Sequence, residues 1–338
     1  MSILVTGGCG YIGIHTVYTL ISQGYSVVVL DNLTNSTMEP LRRVEFMTNR
    51  SIPFYEGDVG SERLLEEIFI EHHITSIIHF AGLKSVSESI LNPVEYYLNN
   101  VAQTLSLLNA MIKNNIKDLI FSSSATVYGK PENCPITESE NTGGTTNPYG
   151  TSKYIMELIL SDVCKAYHDL NITVLRYFNP IGAHESGNIG EHPNGVPNNL
   201  FPYLTQVAIG AHPYLNVLGS DYPTPDGTGV RDYIHVMVLA EAHVKALLRN
   251  TSCPGLKTYN LGTGKGYSVF DIIREFEVVT GVKIPYKVMP RRNGDVAECW
   301  SDSSKANKEL QWTAKRDLKD MIRDAWHWQS KNPHGYDS

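Results

Sequence analysis

The sequence predicts an α/β protein built on a doubly wound parallel sheet, with a second, smaller α/β domain toward the carboxyl terminus. Apolar runs rich in β-branched residues alternate with segments of helical periodicity through the first half of the chain. Such alternation is typical of βαβ units and of a parallel sheet covered on both faces. The length of 338 residues and the apolar fraction of 42% suffice for a sizeable core and suggest two domains.

The elements of this first domain follow one another in regular order. Strands are predicted at 2–6, 25–31, 75–82, 117–124 and 172–179, because each is a short apolar run bounded by turn residues. Helices are predicted at 11–22, 61–73, 93–114 and 149–167, where apolar residues recur at helical spacing.

The pattern changes after about residue 180. The stretch 181–199 is rich in Gly, Pro, Asn and His and predicts a long functional loop. A helix at 236–248 and a strand at 258–262 follow, and we expect them to return to the first sheet. The predicted domains are therefore 1–180, with a returning segment around 236–262, and 181–338.

Charge and cysteine content limit the classes of function. The formal net charge is −7, so the chain has no general attraction for nucleic acid or anionic membranes. No CxxC pair occurs among Cys9, Cys134, Cys164, Cys253 and Cys299, which argues against a zinc site and for a reducing compartment. The sequence has no recognisable export signal or membrane-length apolar run, and a cytoplasmic protein is expected.

A glycine-rich turn near the amino terminus predicts a dinucleotide site. In VTGGCGYIG (5–13), Gly7, Gly10 and Gly13 follow a predicted strand and open a helix, whose free amides can bind a pyrophosphate. Taken alone, the motif also fits an ordinary strand–helix turn. Asp31, at the end of the next strand, would bind the ribose hydroxyls and favour NAD over NADP. Asp58 is either an adenine ligand or a turn residue.

A tyrosine and a lysine begin the helix in NPYGTSKYIME (147–157). Tyr149 and Lys153 are four residues apart and share one helix face. A free tyrosine has a pKa of about 10, and a nearby ammonium together with a cationic nicotinamide ring would lower it toward the range of a useful base. Ser124, at the end of the strand in IFSSSATVYG (120–129), would contact a substrate hydroxyl beside Tyr149. Many surface helices carry such a Tyr–Lys pair by chance.

Several motifs in fixed order resemble a known family. The glycine turn, Asp31, FAGLK (80–84), SSSATVYG (122–129) and the Tyr-x-x-x-Lys pair are similar to those of the extended short-chain dehydrogenases/reductases. Within that family, further motifs resemble the UDP-glucose 4-epimerases of the galactose pathway; these are FNPIGAH (178–184), GVPNNL (195–200), GTGVRDYIHV (227–236), YNLGTG (259–264) and RRNGD (291–295).

The resemblance implies a Rossmann-type NAD-binding domain and roles for individual residues. Tyr149 would be the catalytic base and acid, Lys153 its electrostatic partner, and Ser124 the hydroxyl that orients the proton. NAD would be held by Gly7, Gly10, Tyr11, Ile12, Gly13, Asp31, Asn32, Asn35, Ser36, Asp58, Val59, Phe80, Ala81, Lys84, Asn99, Ser122, Ser124, Tyr149, Lys153 and Phe178. The UDP-sugar substrate would be bound by Ser124, Tyr149, Asn179, Asn199, Leu200, Asn216, Leu218, Arg231, Arg292, Asp295 and Cys299.

The chemistry of Arg231 and Arg292 also supports their predicted role in binding the substrate. A guanidinium fork suits a diphosphate, and Asp295 can accept from ribose hydroxyls. The competing interpretations are a salt bridge between Arg231 and its neighbour Asp232, and a plain surface charge for Arg292 within an Arg-Arg pair.

The implied reaction oxidises the sugar transiently at C4, lets the 4-keto sugar rotate, and reduces it from the other face. A 4,6-dehydratase would also oxidise C4 but needs an additional acid and base, where this chain has Ala125 and Thr126. A non-catalytic protein that senses NAD could keep Gly7, Gly10, Gly13 and Asp31 while losing Tyr149 or Lys153, but both are present along with Ser124. A dehydrogenase that releases reduced cofactor is a further alternative, and it would accumulate NADH with a UDP-sugar.

Two further expectations concern substrate range and assembly. Cys299 is small, and in this position of the family a small side chain should admit N-acetylated sugars; the alternative is that Cys299 only packs. The helical segments 93–114 and 149–167 carry apolar faces that would pair in a homodimer or else only cover the sheet. These faces comprise Leu98, Val101, Leu105, Leu108, Ile155, Leu158 and Ile159.

Overall fold

The computed structural model describes residues 2–250, 254–292 and 294–337. Cys253, and Asn293 of the RRNGD motif, lie outside the described residues. The strands are β1 (Ser2–Thr6), β2 (Ser26–Asp31), β3 (Phe54–Glu56), β4 (Ile74–His79), β5 (Asp118–Ser124), β6 (Asn171–Tyr177), β7 (Asn179–Ile181), β8 (Leu215–Leu218), β9 (Val230–His235), β10 (Gly255–Leu261), β11 (Gly266–Ser268), β12 (Tyr286–Met289) and β13 (Glu298–Cys299).

The helices alternate with these strands through the first half of the chain. They are α1 (Tyr11–Ser22), α2 (Glu39–Thr48), α3 (Glu62–Glu71), α4 (Val86–Leu91), α5 (Pro93–Tyr97), α6 (Gln103–Lys113), α7 (Pro148–Ala166), α8 (Leu200–Ala208), α9 (Val236–Asn250), α10 (Val269–Thr280), α11 (Ser304–Leu310) and α12 (Leu318–Lys331). No helix in the described ranges is both long and apolar enough to cross a bilayer.

Seven strands form one parallel sheet in the order β10-β6-β5-β4-β1-β2-β3. The strand order reverses between β1 and β4, because β2 and β3 extend the sheet to one side and β5 and β6 to the other. The loops that follow β1 and β4 therefore diverge to opposite faces and leave a crevice at the carboxyl edge, where open α/β sheets bind their ligands. The predicted fold class is confirmed.

Two apolar layers cover this sheet. On one face, Ile14 and Val17 of α1 pack with Val44 of α2 and Leu239 of α9. The other face carries side chains of α3, α6 and α7, including Ile68, Leu107 and Leu160. Near-continuous burial of β1 and β4 follows from this double cover, and it explains why their sequences are apolar runs without alternation.

The predicted element boundaries hold to within a few residues, with two informative differences. The predicted helix 93–114 is divided, since a π-helical turn at Leu98–Ala102 separates α5 from α6. The predicted strand 172–179 ends at Tyr177, and Asn179 begins β7, which pairs with β9 in a different sheet. The loop 182–199 contains no helix or strand, as its composition indicates.

The later part of the chain contributes to both regions. β10 pairs in parallel with β6 at the end of the large sheet, and α9 packs against it. A four-stranded sheet of β7, β9, β11 and β13 and a pair formed by β8 and β12 stand beyond the carboxyl edge. Their apolar sides pack with α8, α10 and α12 around Phe201, Phe276 and Met321.

Candidate functional site

A cavity of about 500 Å³ opens at the carboxyl edge of the large sheet, next to the reversal of strand order. Its walls come from the turn between β1 and α1, the loops after β2, β3 and β4, the start of α7, and the loop before α8. Parallel strands place all of these loops at one edge, so residues far apart in sequence face a common space.

The glycines of the first turn allow close backbone contacts. Gly7 has φ of +67°, and a Cβ atom there would lie 2.6 Å from the amide nitrogen of Ala81. At Gly13 a Cβ atom would lie 2.2 Å from the Gly7 carbonyl oxygen. Helix α1 begins after Gly10 with no side-chain cap and no acidic residue in its first turn. Its amides and positive dipole end are therefore suited to phosphate groups.

Asp31 organises the loop after β2. One carboxylate oxygen accepts from the Cys9 amide at 3.0 Å, and the other accepts from the Leu33 amide and the Ser36 hydroxyl, each at 2.9 Å. These bonds hold the buried carboxylate at the cavity wall. A carboxylate has about four acceptor positions, so it can also receive ribose hydroxyls.

Tyr149 and Lys153 start α7 and line the far end of the same cavity. Asn147 caps the helix by accepting from the Gly150 amide at 2.9 Å, which starts α7 just before Tyr149. The Lys153 ammonium is buried and donates to the Ser122 carbonyl at 2.8 Å. Ser124 hydrogen-bonds to Tyr149. The structure thus brings together the three residues that the sequence predicts to be catalytic.

Burial dominates the electrostatics of Tyr149 and Lys153. Burial raises the pKa of Tyr149 above its ordinary value, while the hydrogen bond with Ser124 acts in the opposite direction. Burial also lowers the pKa of Lys153 to about 8, opposed by the charge of Glu157. Burial thus disfavours both charged forms, and the prediction that Lys153 and a cationic nicotinamide ring together lower the pKa of Tyr149 stays a prediction.

The residues predicted to hold the cofactor lie around this cavity, with two differences. Ser124 and Phe178 are not among the lining residues, whereas the remaining predicted cofactor positions are. Ser124 lies behind the wall against Tyr149, and Phe178 packs with Val127, Tyr128 and Ile136.

The residues predicted to bind the nucleotide sugar lie mostly beyond the cavity, on the smaller sheets. Asn179 is on β7, while Arg231 on β9 faces Cys299 on β13 in register. Asn216 and Leu218 are on β8, whereas Asn199 lines the cavity and precedes Leu200 at the start of α8. Cys299 packs in one cluster with Phe178 and Cys134, as the packing interpretation expects.

The two arginines have defined partners. Arg231 donates to the carbonyls of Val230 and Val296, each at 2.8 Å, whereas Asp232 accepts from Thr263 and Ser301. No Arg231–Asp232 salt bridge is present among the described residues, so that interpretation is wrong. Arg292 pairs with Asp295 at 2.8 Å. Arg292 and Asp295, the two predicted substrate ligands of the RRNGD motif, therefore also form an ion pair with each other.

The cavity is also lined by residues that were not predicted as ligands. Glu191, His192 and Asn194 line it from the loop before α8, and the composition of that loop was their only sequence signal. Asn198 also lines it and belongs to the GVPNNL motif (195–200). Tyr336 lines it from the carboxyl-terminal segment and is hydrogen-bonded to Gly190, and no sequence signal indicated it. Within the described ranges, no group of three or more His, Cys, Asp or Glu residues is arranged to hold a metal ion.

The seven-stranded parallel sheet, with a glycine turn and the start of α7 at its carboxyl edge, fits the class of extended short-chain dehydrogenases/reductases. A family model described as "GDP-mannose 4,6 dehydratase" matches residues 4–325. The UDP-glucose 4-epimerase of Pasteurella multocida (strain Pm70) is 59% identical over 336 residues, or 99% of each chain. That of Bacillus subtilis (strain 168) is 53% identical over 100% of this chain and 99% of its own length.

Solved structures agree with these sequence matches. The UDP-glucose 4-epimerase from Bifidobacterium longum in complex with NAD+ and UDP superposes with a TM-score of 0.96 at 52% identity, covering 99% of this chain and 100% of that one. The UDP-Glc/GlcNAc 4-epimerase of Campylobacter jejuni has a TM-score of 0.84 at 32% identity, over 98% and 99% of the two chains. The chain belongs to the UDP-glucose 4-epimerase family of extended short-chain dehydrogenases/reductases.

Proposed function

We propose that the protein interconverts UDP-glucose and UDP-galactose by inverting the configuration at C4 of the sugar, with NAD as its resident cofactor. The observation that carries this proposal is the position of Tyr149, hydrogen-bonded to Ser124 and one turn from Lys153, at the end of a dinucleotide-sized cavity. Membership of the 4-epimerase family, at 59% identity over nearly the whole chain, supports it.

The cavity fits NAD on three counts. The glycine turn leaves a cradle that a Cβ atom at Gly7 or Gly13 would fill, and α1 offers uncapped amides to a pyrophosphate. The Asp31 carboxylate lies where an adenosine ribose would present its hydroxyls and would repel a 2′-phosphate. Bound NAD would supply the acceptor for the hydride of sugar C4 and, once reduced, the donor that returns it.

Tyr149 serves as the acid and base for the sugar 4-hydroxyl. It accepts the hydroxyl proton as the sugar is oxidised and returns it when the 4-keto sugar is reduced from the opposite face. Ser124 favours the phenolate through its hydrogen bond. Because burial raises the pKa of Tyr149, the phenolate needs the charge of Lys153 together with the positive charge of the oxidised cofactor.

The UDP group acts as the handle that stays bound while the sugar turns. We assign it to Asn179, Asn199, Leu200, Asn216, Leu218, Arg231, Arg292 and Asp295, with the guanidinium groups toward the diphosphate. Binding energy concentrated on the nucleotide leaves the hexose free to rotate between the oxidation and the reduction. Apart from Asn179, all of these residues lie in 181–338, the predicted nucleotide-sugar domain.

The decisive experiment incubates the purified protein with UDP-galactose and no added NAD, and follows the appearance of UDP-glucose. A dehydratase would instead release a dehydrated 4-keto sugar, and a dehydrogenase would accumulate reduced cofactor. An NAD-sensing protein would leave UDP-galactose unchanged. Any of these three outcomes contradicts the proposal, provided that a second assay with NAD added gives the same result.

Replacing the phenol tests its role directly. The variant Tyr149→Phe should lose activity by about 10²- to 10⁴-fold while keeping its NAD, because only the proton-transfer hydroxyl is removed. Turnover is measured with UDP-galactose, and bound NAD is quantified after denaturation. The control is Tyr154→Phe on the same helix, whose hydroxyl lies near Gly143 and away from the cavity. Equal turnover in the two variants would refute the role of Tyr149.

Substitutions of the neighbouring residues Arg291 and Arg292 test the proposed binding of the UDP group. We expect Arg292→Met to raise KM for UDP-galactose by about 10- to 100-fold, because a charged hydrogen bond contributes about 1.5–3 kcal/mol. Bound NAD should be unaffected. Arg291→Met is the matched control, since Arg291 pairs with Asp221 and stacks on Tyr222. Similar KM values for both variants, or loss of NAD from Arg292→Met, would remove Arg292 from the handle.

Cys299 extends the proposal to N-acetylated substrates. The side chain is small and lies in register opposite Arg231, at the edge of the sheet that carries Asn179. We propose that it leaves room for a 2-acetamido group, so that UDP-GlcNAc and UDP-GalNAc are also interconverted.

A bulkier side chain at position 299 should narrow the range of sugar substrates that the protein accepts. Cys299→Tyr should lose turnover of UDP-GlcNAc by about 10-fold or more while keeping turnover of UDP-glucose, because overfilling a packed pocket costs about 1–3 kcal/mol. Cys299→Ala, which keeps the space, serves as the control. If the unaltered protein turns over UDP-glucose well but not UDP-GlcNAc, this extension is wrong.

We also propose that two copies associate through the faces of α4, α5, the following π turn, α6 and α7. Their solvent side exposes the large apolar residues Ile90, Leu91, Val94, Leu98, Leu105 and Leu158. The apolar residues predicted to form these faces do not all face solvent. Leu108 is buried against the sheet, whereas Leu98 is 60% exposed and Leu158 is 50% exposed. Exposed apolar patches of this kind mark interaction surfaces, and a self-complementary helical face suits a two-fold axis.

Charges placed in this patch should separate the copies. The double variant Leu98→Glu/Leu158→Glu should be monomeric by analytical ultracentrifugation, because two like charges would meet their counterparts across the axis. Phe46→Glu on α2 is the control, since Phe46 is 86% exposed and lies outside the patch. A monomeric unaltered protein, or an unchanged dimer in the double variant, would contradict this interface.

The scattered cysteines support a cytoplasmic location, since the described ones are free thiols. Fractionation of the source cells should recover the epimerase activity with the cytoplasmic contents, and recovery from the medium or the membranes would contradict this location.

A further inference from the structure

The catalytic helix face continues one turn beyond Lys153. Tyr149, Lys153 and Glu157 are spaced by four residues and so lie on one side of α7. Three successive residues of β5 meet them. Ser124 hydrogen-bonds to Tyr149, the Ser122 carbonyl accepts from Lys153 at 2.8 Å, and the Ser123 hydroxyl donates to Glu157 at 2.5 Å. The reaction as described uses Tyr149 and Lys153 but leaves Glu157 without a role.

Glu157 forms a buried, two-pronged ion pair with Arg176 of β6. The Arg176 Nε donates to both carboxylate oxygens, at 3.0 and 3.2 Å, and its Nη2 donates to Oε2 at 2.5 Å. Both side chains are more than nine-tenths buried. A buried ion pair costs desolvation energy, and replacing such a pair by apolar residues is often neutral or stabilising. General stability therefore does not by itself account for a charged pair at this position.

Further hydrogen bonds prevent the Arg176 fork from turning away. Its Nη1 donates to the Tyr128 hydroxyl at 2.7 Å, and Tyr128 donates to the Asn260 side chain of β10 at 2.7 Å. The guanidinium also lies over the Tyr128 ring, 4.8 Å from its centre. Glu157 is thus held by Ser123 of β5 and Arg176 of β6, and Arg176 is held in turn by Tyr128 from the segment after β5.

The groups around Lys153 leave the Glu157 carboxylate as the charge that favours the protonated form of Lys153. From β4, His79 is kept neutral, since burial lowers its pKa to about 3. Burial likewise keeps the phenols of Tyr149 and Tyr177 protonated by raising their pKa values. Arg176 lies behind Glu157 and is a cation. Of the charges acting on the buried ammonium, that of Glu157 favours its protonated form and opposes the cost of burial.

We propose that Glu157, held by Arg176 and Ser123, is a positioning residue that keeps Lys153 charged and aligned beside Tyr149. This inference rests on the proposed function, because it assigns the ion pair a part in the same proton transfer. Glu157 does not contact the sugar. It acts through Lys153, whose ammonium supports the Tyr149 phenolate.

The sign of the pH dependence follows from this arrangement. Lys153 is an ammonium below its pKa of about 8 and loses its proton as the pH rises through that value. Activity that needs the ammonium therefore falls on the alkaline side. Removal of the Glu157 charge makes the ammonium less favourable, so the alkaline fall in kcat should occur at lower pH. KM for the UDP-sugar should change little, because the uridine contacts lie elsewhere.

The experiment compares pH profiles of kcat for UDP-galactose with the NAD-loaded protein. Glu157→Gln should move the alkaline limb down by about one pH unit, since one nearby charge shifts a buried pKa by about that much. Glu157→Asp keeps the charge but strains the same network, and its limb should stay close to that of the unaltered protein. Ser123→Ala removes one hydrogen bond to Glu157 without removing charge and should also leave the limb in place.

A merely structural role predicts a different pattern. If Glu157→Gln and Glu157→Asp lower kcat equally at every pH, or if the Gln limb does not move, the proposal is overturned. Should Glu157→Gln fail to fold, the apolar double variant Glu157→Met/Arg176→Leu is tested, because buried pairs usually tolerate such replacement. Its alkaline limb should also shift downward, and an unshifted limb counts equally against the proposal.

Failure of this inference can be told apart from failure of the proposed function. If the unaltered protein does not convert UDP-galactose, the function itself is wrong and no pH profile is obtained. If it does convert UDP-galactose and the alkaline limb is the same in all variants, the function stands and only the role of Glu157 is rejected.

Discussion

The packing of α7 against the carboxyl end of β5 is the contact on which the site depends. It fixes Lys153 on the Ser122 carbonyl and Tyr149 on Ser124, and it is locked further along by the Glu157–Arg176 pair. A helix that slid by one residue against this strand would rotate all of these side chains by about 100° away from the cavity. Precise placement of the proton-transfer group therefore relies on buried polar contacts as well as on apolar packing.

Burial creates an electrostatic problem at this contact. It raises the pKa of Tyr149 and lowers that of Lys153, so it disfavours both charged forms that proton transfer needs. The site compensates with hydrogen bonds from the strand end and with the Glu157 carboxylate. The remaining compensation must come from a bound cation, which links the chemistry of the phenol to the redox state of the cofactor in the proposed reaction.

The loop before α8 connects the two halves of the site. Its Asn194 contacts the Thr34 carbonyl beside the Asp31 loop, while the carbonyl of Asn198 accepts from Arg292 on the far side. Glu191 pairs with Lys84 between them. The loop lacks regular structure and yet spans the cavity, which is consistent with a composition rich in Gly, Pro and Asn. Cofactor-facing and nucleotide-facing residues thus share one irregular segment held by specific polar contacts.

The sequence by itself determined the parallel sheet, the glycine turn, Asp31 and the Tyr149–Lys153 spacing, because each of these is a local pattern of periodicity or turn chemistry. It also indicated which residues bind, but only through a resemblance carried by motifs along the whole chain. Tertiary structure alone decided that β6 ends at Tyr177, that Arg292 pairs with Asp295, and that Tyr336 reaches the cavity wall. It also decided the direction of the Tyr149 pKa and the partnership of Glu157 with Arg176, because burial and long-range contacts depend on what the rest of the chain packs around a residue.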